Sequence, residues 1–194
     1  MFDRKNTGFT DAESCTKQLP RHGLAKSCPM VIQIDRPFIL ISLSRQNLSL
    51  IVDGTPAVEF PVSTAANGPG EQTGSQCTPR GWHLVRAKIG AGYPVNTVFR
   101  GRRPTGEIYE RGLEDRYPDR DWILTRILWL SGLEPGKNRL HSVDTMRRYI
   151  YIHGSPDNTK MGIPASHGCI RMHNPDIIDL FDRVPTGIRV RIIE

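Results

Sequence analysis

The segment from His153 to Arg171 contains the residue types best suited to chemistry. Cys169 could act as a nucleophile, because a thiolate attacks carbonyl carbon once a nearby base or positive field has removed its proton. His167 is two residues before the cysteine, a spacing that is short for an oriented ion pair. The turn-rich residues 154–165 could instead return the chain and place Cys169 opposite His153. This pattern favours acyl transfer by a cysteine and a histidine.

The residues next to the cysteine have properties that such a reaction would use. Gly168 permits a close approach or a positive φ directly before the nucleophile. Backbone N–H groups of the turn at Gly168 and Cys169 could stabilise an oxyanion. Arg171 could bind a substrate carboxylate, because a guanidinium matches the geometry of that group.

Other interpretations of these residues stay open when spacing is the only guide. Cys169 could be a buried structural thiol, and His153 could be a histidine that is merely hydrogen-bonded at a strand end. Together with His167 and His173 they could also form a metal cluster, but zinc sites prefer repeated close pairs of ligands and the next cysteine, Cys77, is far away in sequence. Thiol alkylation distinguishes a catalytic Cys169 from a structural one: an activated cysteine should react at mildly acidic pH, and a buried structural one should not.

Strands are the elements predicted to position this segment. Apolar and β-branched runs predict a three-stranded meander over residues 38–63, with a hairpin turn at Asp53 and Gly54. Residues 66–81 are predicted to form an exposed loop. The other predicted strands cover residues 82–87, 122–130 (with a helix as the less favoured alternative), 149–153 and 188–193. The strand over 149–153 would deliver His153 to a strand end.

Two short helices are predicted in the second half of the chain. Residues 174–181 have Asn174 as the predicted N-cap and Pro175 at the first helical position, and their apolar residues fall on one face. A second short helix is predicted from Ser142 to Arg148, capped by Ser142. The predicted fold class is therefore mainly β with short helices.

Composition agrees with a turn-rich globular protein. Hydrophobic residues make up 38% and charged residues 24% of the 194 residues, which excludes an intrinsically disordered chain. Gly 18 and Pro 15 argue for many turns rather than a helical bundle. No apolar run approaches the ~18 residues of a membrane-spanning helix, so no membrane partner is predicted. The four cysteines lack the spacing of a disulfide framework and are predicted to be free thiols: Cys15, Cys28, Cys77 and Cys169.

The chain is predicted to consist of a polar, disordered tail over residues 1–30 and one catalytic domain over 31–194. Residues 88–120, rich in glycine and arginine, are predicted to form a lid or flap with some strand content. The first 30 residues contain no apolar run of the length found in secretory signals, so a cytoplasmic location is expected. A periplasmic location is the alternative if the chain is truncated or exported by another route.

The sequence around the cysteine resembles the signature of the L,D-transpeptidase catalytic domain family, also called the YkuD family. The resemblance rests on the His-Gly pair at residues 153–154 and on Ser-His-Gly-Cys-Ile-Arg-Met at 166–172. Residues 61–64 and 78–84 resemble the segments that precede the site in this family, and the closing helix and strand agree in order. The family's usual glycine after Ser-Thr is Ala65 in this chain.

The resemblance implies a β-sandwich-type catalytic domain that acts on the stem peptides of peptidoglycan. Cys169 would be acylated at the L-centre of meso-diaminopimelate and would expel the terminal D-alanine. His153 would be the base, and the carbonyl of Gly154 would orient its imidazole as the third member of a triad. No metal and no organic cofactor would be needed.

The resemblance also implies roles for the residues around the nucleophile. Ser166, His167 and Gly168 would shape the pocket and the oxyanion site, and Arg171 would hold the motif in place or bind a substrate carboxylate. Carbapenem-type β-lactams are expected to acylate Cys169 and so to be covalent inhibitors.

Which molecule accepts the acyl group decides the activity. Water would give an L,D-carboxypeptidase, a second stem would give a 3–3 cross-link, and a free D-amino acid would give exchange. The expected cytoplasmic location favours a carboxypeptidase of peptidoglycan recycling, with an exported L,D-transpeptidase as the alternative. A catalytically dead peptidoglycan-binding module would lack Cys169 or His153, and both are present. A nucleic-acid binder would suit the net charge of +6, but the arginines are scattered and no nucleic-acid motif is present.

Overall fold

A computed structural model describes residues 36–194. The predicted tail over residues 1–30, Cys15 and Cys28 lie outside the described residues. The strands of the described part are β1 (Phe38–Ser42), β2 (Asn47–Val52), β3 (Thr55–Pro61), β4 (Gly81–Ile89), β5 (Thr97–Arg100), β6 (Arg103–Ile108), β7 (Ile123–Gly132), β8 (Tyr151–Gly154), β9 (Ile170–Met172) and β10 (Arg189–Ile193). Its helices are α1 (Arg111–Arg116) and α2 (Asn174–Arg183), with a 3₁₀ turn at His141–Val143. The predicted mainly-β fold class is confirmed. Within residues 36–194, no helix is long and apolar enough to cross a membrane.

All ten strands belong to one sheet in which β7 is a branch point. The main path runs β3-β2-β1-β10-β4-β7-β5-β6, while β8 pairs with β7 and β9 pairs with β8. The register of β7 against β8 shifts between Leu124 and Ile127, and Thr125 within this bulge has a φ of +67°. Strand β7 pairs with β5 at Ile123 and Leu124, with β4 from Ile127 to Gly132, and with β8 at Leu124 and from Ile127 to Trp129. This branch carries β8 and β9, which bear the residues of interest, away from the main path.

The two faces of the β8–β9 pair have different surroundings. Ile152, Ile170 and Met172 are fully buried in the main core, where Ile177 and Leu180 of α2 pack. Successive side chains on a strand point to opposite faces, so the residues between them lie on the other face. The main core thus covers one face of the pair, and the opposite face bears Tyr151 and His153.

The predicted cap of α2 is wrong. His173 is the N-cap, and Asn174 is the first residue of the helix, so Pro175 occupies its second position. The Asn174 side chain serves tertiary contacts instead: its Oδ1 accepts a hydrogen bond from Thr125 Oγ1 at 2.6 Å, and its Nδ2 donates to Ser155 O at 3.1 Å. These bonds tie the β7 bulge to the end of β8, so they replace the capping role that the residue type favours.

The predicted helix from Ser142 to Arg148 is also wrong, because only the 3₁₀ turn at its start forms. The carboxylate of Asp144 accepts hydrogen bonds from Leu140 N at 2.7 Å and Arg147 N at 3.0 Å. A short polar side chain that bonds to nearby backbone offers the chain an alternative to the helix. Ser142 does not cap, and its carbonyl accepts a bond from Thr73 N at 2.7 Å.

The predicted lid over residues 88–120 contains β5, β6 and α1, and its role as a lid stays a prediction. Arg102 lies in the turn between β5 and β6 and reaches back to the start of β8. Its guanidinium lies 4.4 Å from the ring centre of Trp129 and 5.1 Å from that of Tyr149, and it donates to Tyr151 Oη at 2.9 Å. Cation–π contacts and this bond hold the hairpin against the strand beside Cys169.

His83 on β4 is buried in the domain with both ring nitrogens engaged. Nδ1 lies 3.1 Å from Gly81 O, and Nε2 lies 3.1 Å from Thr145 Oγ1. Burial lowers the pKa of His83 to about 4 from the ordinary value of 6.5. The folded protein therefore keeps this ring neutral over a pH range in which the unfolded chain protonates it.

We expect the free energy of unfolding to fall as the pH falls from 6.5 towards 4, in part because of His83. In that range the unfolded chain binds a proton that the folded chain does not, so the contribution is full above pH 6.5 and is lost near pH 4. A shift of this size corresponds to at most about 3–4 kcal/mol. Urea denaturation at pH 7 and pH 4.5 checks this: the wild type should lose about 2 kcal/mol more than His83→Gln. Equal losses in the two proteins would contradict it.

Candidate active site

The parallel pairing of β8 with β9 brings the predicted nucleophile and base to one face. His153 pairs with Arg171, and Cys169, directly before β9, lies beside Tyr151. The N–H of Tyr151 lies 3.4 Å from the sulfur of Cys169. Paired residues and residues two apart share a face of a sheet, so all four side chains lie on the face opposite the main core.

His153 is positioned as a neutral base with one free nitrogen. The ring is fully buried, and Nδ1–H donates to Gly154 O at 2.8 Å. Because a carbonyl only accepts, this bond places the hydrogen on Nδ1 and leaves the Nε2 lone pair available. Nε2 has no hydrogen-bond partner among residues 36–194. Burial lowers the pKa of His153, and the nearby Asp121 carboxylate opposes that shift.

Cys169 is half-buried and is held as a thiol. It packs beside an apolar cluster of Phe99, Ile127 and Tyr151. Its Sγ lies 3.5 Å from Tyr149 O, which accepts from the thiol. Burial raises the pKa of the Cys169 thiol to about 12. The proton must therefore leave during the reaction rather than before it.

This thiol state alters the alkylation behaviour expected from the sequence. In the free enzyme, Cys169 should not react readily at mildly acidic pH, because its thiolate fraction rises only about tenfold per pH unit below the pKa. We expect its rate constant with iodoacetamide to rise from pH 6 to pH 9 without a plateau, as measured by peptide mass mapping. Cys77, a half-buried free thiol, reports reagent activity in the same sample. A plateau below pH 8 would contradict this prediction.

The turn before Cys169 is fixed by side-chain hydrogen bonds. Ser166 Oγ donates to Cys169 O at 2.5 Å and accepts from Gly168 N at 3.2 Å, so that N–H is engaged in this state. Thr78 Oγ1 donates to Gly168 O at 3.0 Å. Gly168 has a φ of +131°, and an added Cβ would lie 3.1 Å from Ile150 Cδ1. Only glycine meets both conditions without strain.

Arg171 is paired with a carboxylate that sequence reasoning missed. Its Nη2 donates to Asp121 Oδ1 at 2.6 Å, and its Nη1 donates to Ala165 O at 3.2 Å. Arg171 thus holds the motif, which is one of the two roles considered for it. His167 is exposed and lines a cavity of about 410 Å³ together with Asp121 and Arg171. The sequence feature that could have indicated Asp121 is its position as a carboxylate directly before the apolar run that forms β7.

The metal interpretation finds no support in the described part of the chain. Among residues 36–194, no group of three or more His, Cys, Asp or Glu side chains could hold a metal ion. The prediction of free thiols is confirmed for Cys77 and Cys169.

Gly154 allows three segments to meet behind His153. An added Cβ would lie 2.8 Å from Leu124 O and would overlap Asn174 Oδ1. We expect Gly154→Ala to lower the free energy of unfolding by about 1–3 kcal/mol, because backbone and a bonded side chain must shift. Thermal denaturation measures the loss. The matched control is Gly112→Ala, where a Cβ meets only Glu110 Oε1 at 3.9 Å and should be neutral or stabilising. Equal stability of both variants would contradict the prediction.

Comparison with known proteins gives consistent matches. The model of the L,D-transpeptidase catalytic domain (YkuD) matches residues 36–192. The "Putative L,D-transpeptidase YqjB" of Bacillus subtilis (strain 168) is 44% identical over 158 residues, which are 81% of this chain and 72% of that protein. The "Probable L,D-transpeptidase YbiS" of Escherichia coli (strain K12) is 47% identical over 47 residues, which are 24% of this chain and 15% of YbiS.

A solved structure has the same fold. The crystal structure of L,D-transpeptidase 3 from Mycobacterium tuberculosis aligns with a TM-score of 0.50 and 19% identity, over 81% of this chain and 61% of that chain. At this identity the likeness concerns the fold alone. The family model and YqjB carry the assignment, and they agree with the resemblance of the Ser-His-Gly-Cys-Ile-Arg motif. The chain belongs to the L,D-transpeptidase catalytic domain family, the YkuD family of enzymes.

Proposed function

We propose that this enzyme transfers acyl groups from peptidoglycan stem peptides through a thioester on Cys169, and that it acts as an L,D-carboxypeptidase. One observation carries the proposal. His153 is anchored through Nδ1 to Gly154 O at 2.8 Å, and its unpartnered Nε2 lies on the sheet face that also bears Cys169. A nucleophile, a base and a group that orients the base are the parts that nucleophilic catalysis requires.

The proposed acylation step starts from the neutral thiol and the neutral imidazole. The Cys169 proton moves to His153 Nε2 as the sulfur attacks the carbonyl carbon at the L-centre of meso-diaminopimelate. The C–N bond to the terminal D-alanine then breaks, and the imidazolium gives its proton to the leaving amine. The proposed step uses only the thiol and the imidazole, with the Asp121–Arg171 ion pair beside them.

Water is the proposed acceptor for the second step. His153 would take a proton from water, the hydroxide would attack the thioester, and Cys169 would leave and regain its proton. Cys169 packs beside Phe99, and Arg102 anchors the β5–β6 turn against Trp129 and Tyr149, so we infer a small acceptor at this half-buried sulfur. The proposal places the enzyme in the cytoplasm, where free stems are trimmed for reuse, and cell fractionation tests that location.

The alternative acceptor is the amine of a second stem or of a D-amino acid. Two observations favour it. YqjB and YbiS are named as L,D-transpeptidases. In addition, the cavity beside Arg171 is lined by Glu114, Asp119 and Asp121, whose carboxylates suit a substrate ammonium group. In this alternative the enzyme acts outside the cytoplasm.

One experiment separates these outcomes. Purified protein is incubated in H₂¹⁸O with a tetrapeptide muropeptide, and the products are followed by mass spectrometry with Cys169→Ala as the control. Loss of D-alanine with one ¹⁸O in the new carboxylate, and no dimer, is the expected result. A 3–3 dimer, or exchange when a D-amino acid is added, would establish the alternative. No turnover by the wild type would overturn both for this substrate.

A further inference from the structure

We propose that Asp121 is a positioning residue of this reaction: its carboxylate, bound to Arg171 beside the buried base, stabilises the imidazolium that forms when His153 takes the proton of Cys169. The inference rests on the proposed function. Asp121, just before β7, would thus influence a proton transfer between Cys169 and His153, which lie on or next to β8 and β9.

The first support is the placement of the ion pair. Arg171 pairs with His153 across the β8–β9 ladder, and its Nη2 donates to Asp121 Oδ1 at 2.6 Å. The Arg171 side chain is only 17% exposed, and its second nitrogen is held by Ala165 O at 3.2 Å. The Asp121 side chain is 39% exposed, and the anchored guanidinium of Arg171 fixes its carboxylate beside the active face.

The second support is that the positive charge formed on His153 has no hydrogen-bond acceptor at Nε2. The Nδ1 side of His153 has the Gly154 carbonyl, but Nε2 is buried without a partner. Burying an imidazolium there would be costly unless a negative group lies nearby. Asp121 is the carboxylate whose charge raises the pKa of His153, while Arg171 lowers it.

The charged groups around the pair act in opposite directions. Asp121 raises the pKa of the Cys169 thiol, whereas Arg171 and Arg148 lower it. Burial opposes the lowering of the pKa of the Asp121 carboxyl, which comes from His153, from Arg171 and, least, from His167 on the turn before β9. The ion pair therefore places a negative charge that favours the imidazolium and a positive charge that favours the thiolate, both of which form in the same proton transfer.

Asp121 and Arg171 have opposite effects on the pKa of His153, so their removal should shift the pH profile in opposite directions. A purely structural role of Asp121 would not produce this result. The acid limb of the kcat/KM profile reports the free enzyme's base. Asp121→Asn should lower kcat/KM about tenfold and move the acid limb to lower pH by about half a unit to one unit. Arg171→Gln should move the limb to higher pH. If Asp121 only held Arg171 in place, both variants would move the limb in the same direction.

Two further variants serve as controls. Asp121→Glu keeps the charge and should leave the limb near the wild-type position. Asp115→Asn removes one exposed carboxylate from the neighbouring α1 and should leave both kcat/KM and the limb unchanged. A shift as large in Asp115→Asn as in Asp121→Asn would overturn the inference, because it would reflect net charge alone.

A readout that needs no turnover separates this inference from the proposed function. NMR titration of ¹³C-labelled histidine, with His153→Gln identifying the signal, should show a lower His153 pKa in Asp121→Asn than in the wild type. That result together with an inactive wild type would refute the proposed substrate but leave the electrostatic coupling intact. An unchanged His153 titration in Asp121→Asn would overturn the inference.

Discussion

Cys169→Ala is expected to abolish turnover of a stem peptide to the background rate, a loss on the order of 10⁴-fold or more. The reason is that no other group on this face can form the thioester. The neighbouring side chains on the β8–β9 face are those of Tyr151, His153 and Arg171, and none of them contains the sulfur that a thioester requires. Product formation in the muropeptide assay measures the loss.

The same variant should lose its covalent reaction with a carbapenem. Attack of the Cys169 sulfur on the strained lactam carbonyl opens the ring without a leaving group, so intact-mass spectrometry of the wild type should show an adduct with the full mass of the inhibitor. This reactivity is proposed from the site chemistry and the family. Cys169→Ala should show no adduct, because the sulfur that forms the bond is absent.

Cys77→Ala is the matched control for the nucleophile. The Cys77 sulfur makes only weak contacts, at 3.4 Å to Asn67 O and 3.5 Å to Ser75 O, within the loop after β3. This variant should keep both turnover and the carbapenem adduct. An adduct that persists in Cys169→Ala and disappears in Cys77→Ala would show that Cys77 is the nucleophile and would contradict the assignment of Cys169.

His153→Gln is expected to lower kcat/KM by roughly 10²- to 10⁴-fold, the range for loss of a general acid–base group. Its effect on stability should be small. The ring makes one hydrogen bond, to Gly154 O, and its Nε2 is buried without a partner. Glutamine keeps a buried polar group at this position, so the loss is limited to the one hydrogen bond to Gly154 O.

His83→Gln gives the opposite pattern and serves as the control. Both histidines are fully buried, but both nitrogens of His83 have partners, Gly81 O and Thr145 Oγ1. Losing these bonds should cost about 1–3 kcal/mol of unfolding free energy and leave kcat/KM unchanged at 25 °C. Urea denaturation and the muropeptide assay on both variants measure the contrast. A loss of activity in His83→Gln equal to that in His153→Gln would show that the latter reflects damage to the fold rather than loss of the base.

Much of the fold follows from signals that act over a few residues. The alternating pattern and the Asp53-Gly54 turn correctly predicted β1, β2 and β3, and the apolar spacing over residues 174–181 predicted the buried face of α2. The motif around Cys169 indicated the family, which the comparisons confirmed. The strands and the helix face could be predicted because their hydrogen bonding and apolar periodicity depend on residues close together in the chain. The motif could be recognised because its residues are consecutive.

The two wrong local predictions come from interactions that the chain order does not display. Asn174 has the residue type of a cap, but hydrogen bonds to Thr125 and Ser155 claim its side chain. The segment from Ser142 begins like a helix, but the carboxylate of Asp144 binds the backbone on both sides of it. Competing partners outweighed a propensity of less than about 1 kcal/mol per residue.

By itself the sequence determined the sheet-forming segments, the helix face, the family and the candidate nucleophile. The tertiary structure decided the surroundings of the site: burial that raises the pKa of the Cys169 thiol, a His153 Nε2 without a partner among residues 36–194, and Arg171 bound to Asp121. Asp121 and Arg171 are fifty residues apart in the chain, and they become neighbours only when β7 and β8 pair. Protonation depends on burial and on charges within a few ångströms, and both are properties of the packed domain rather than of local sequence.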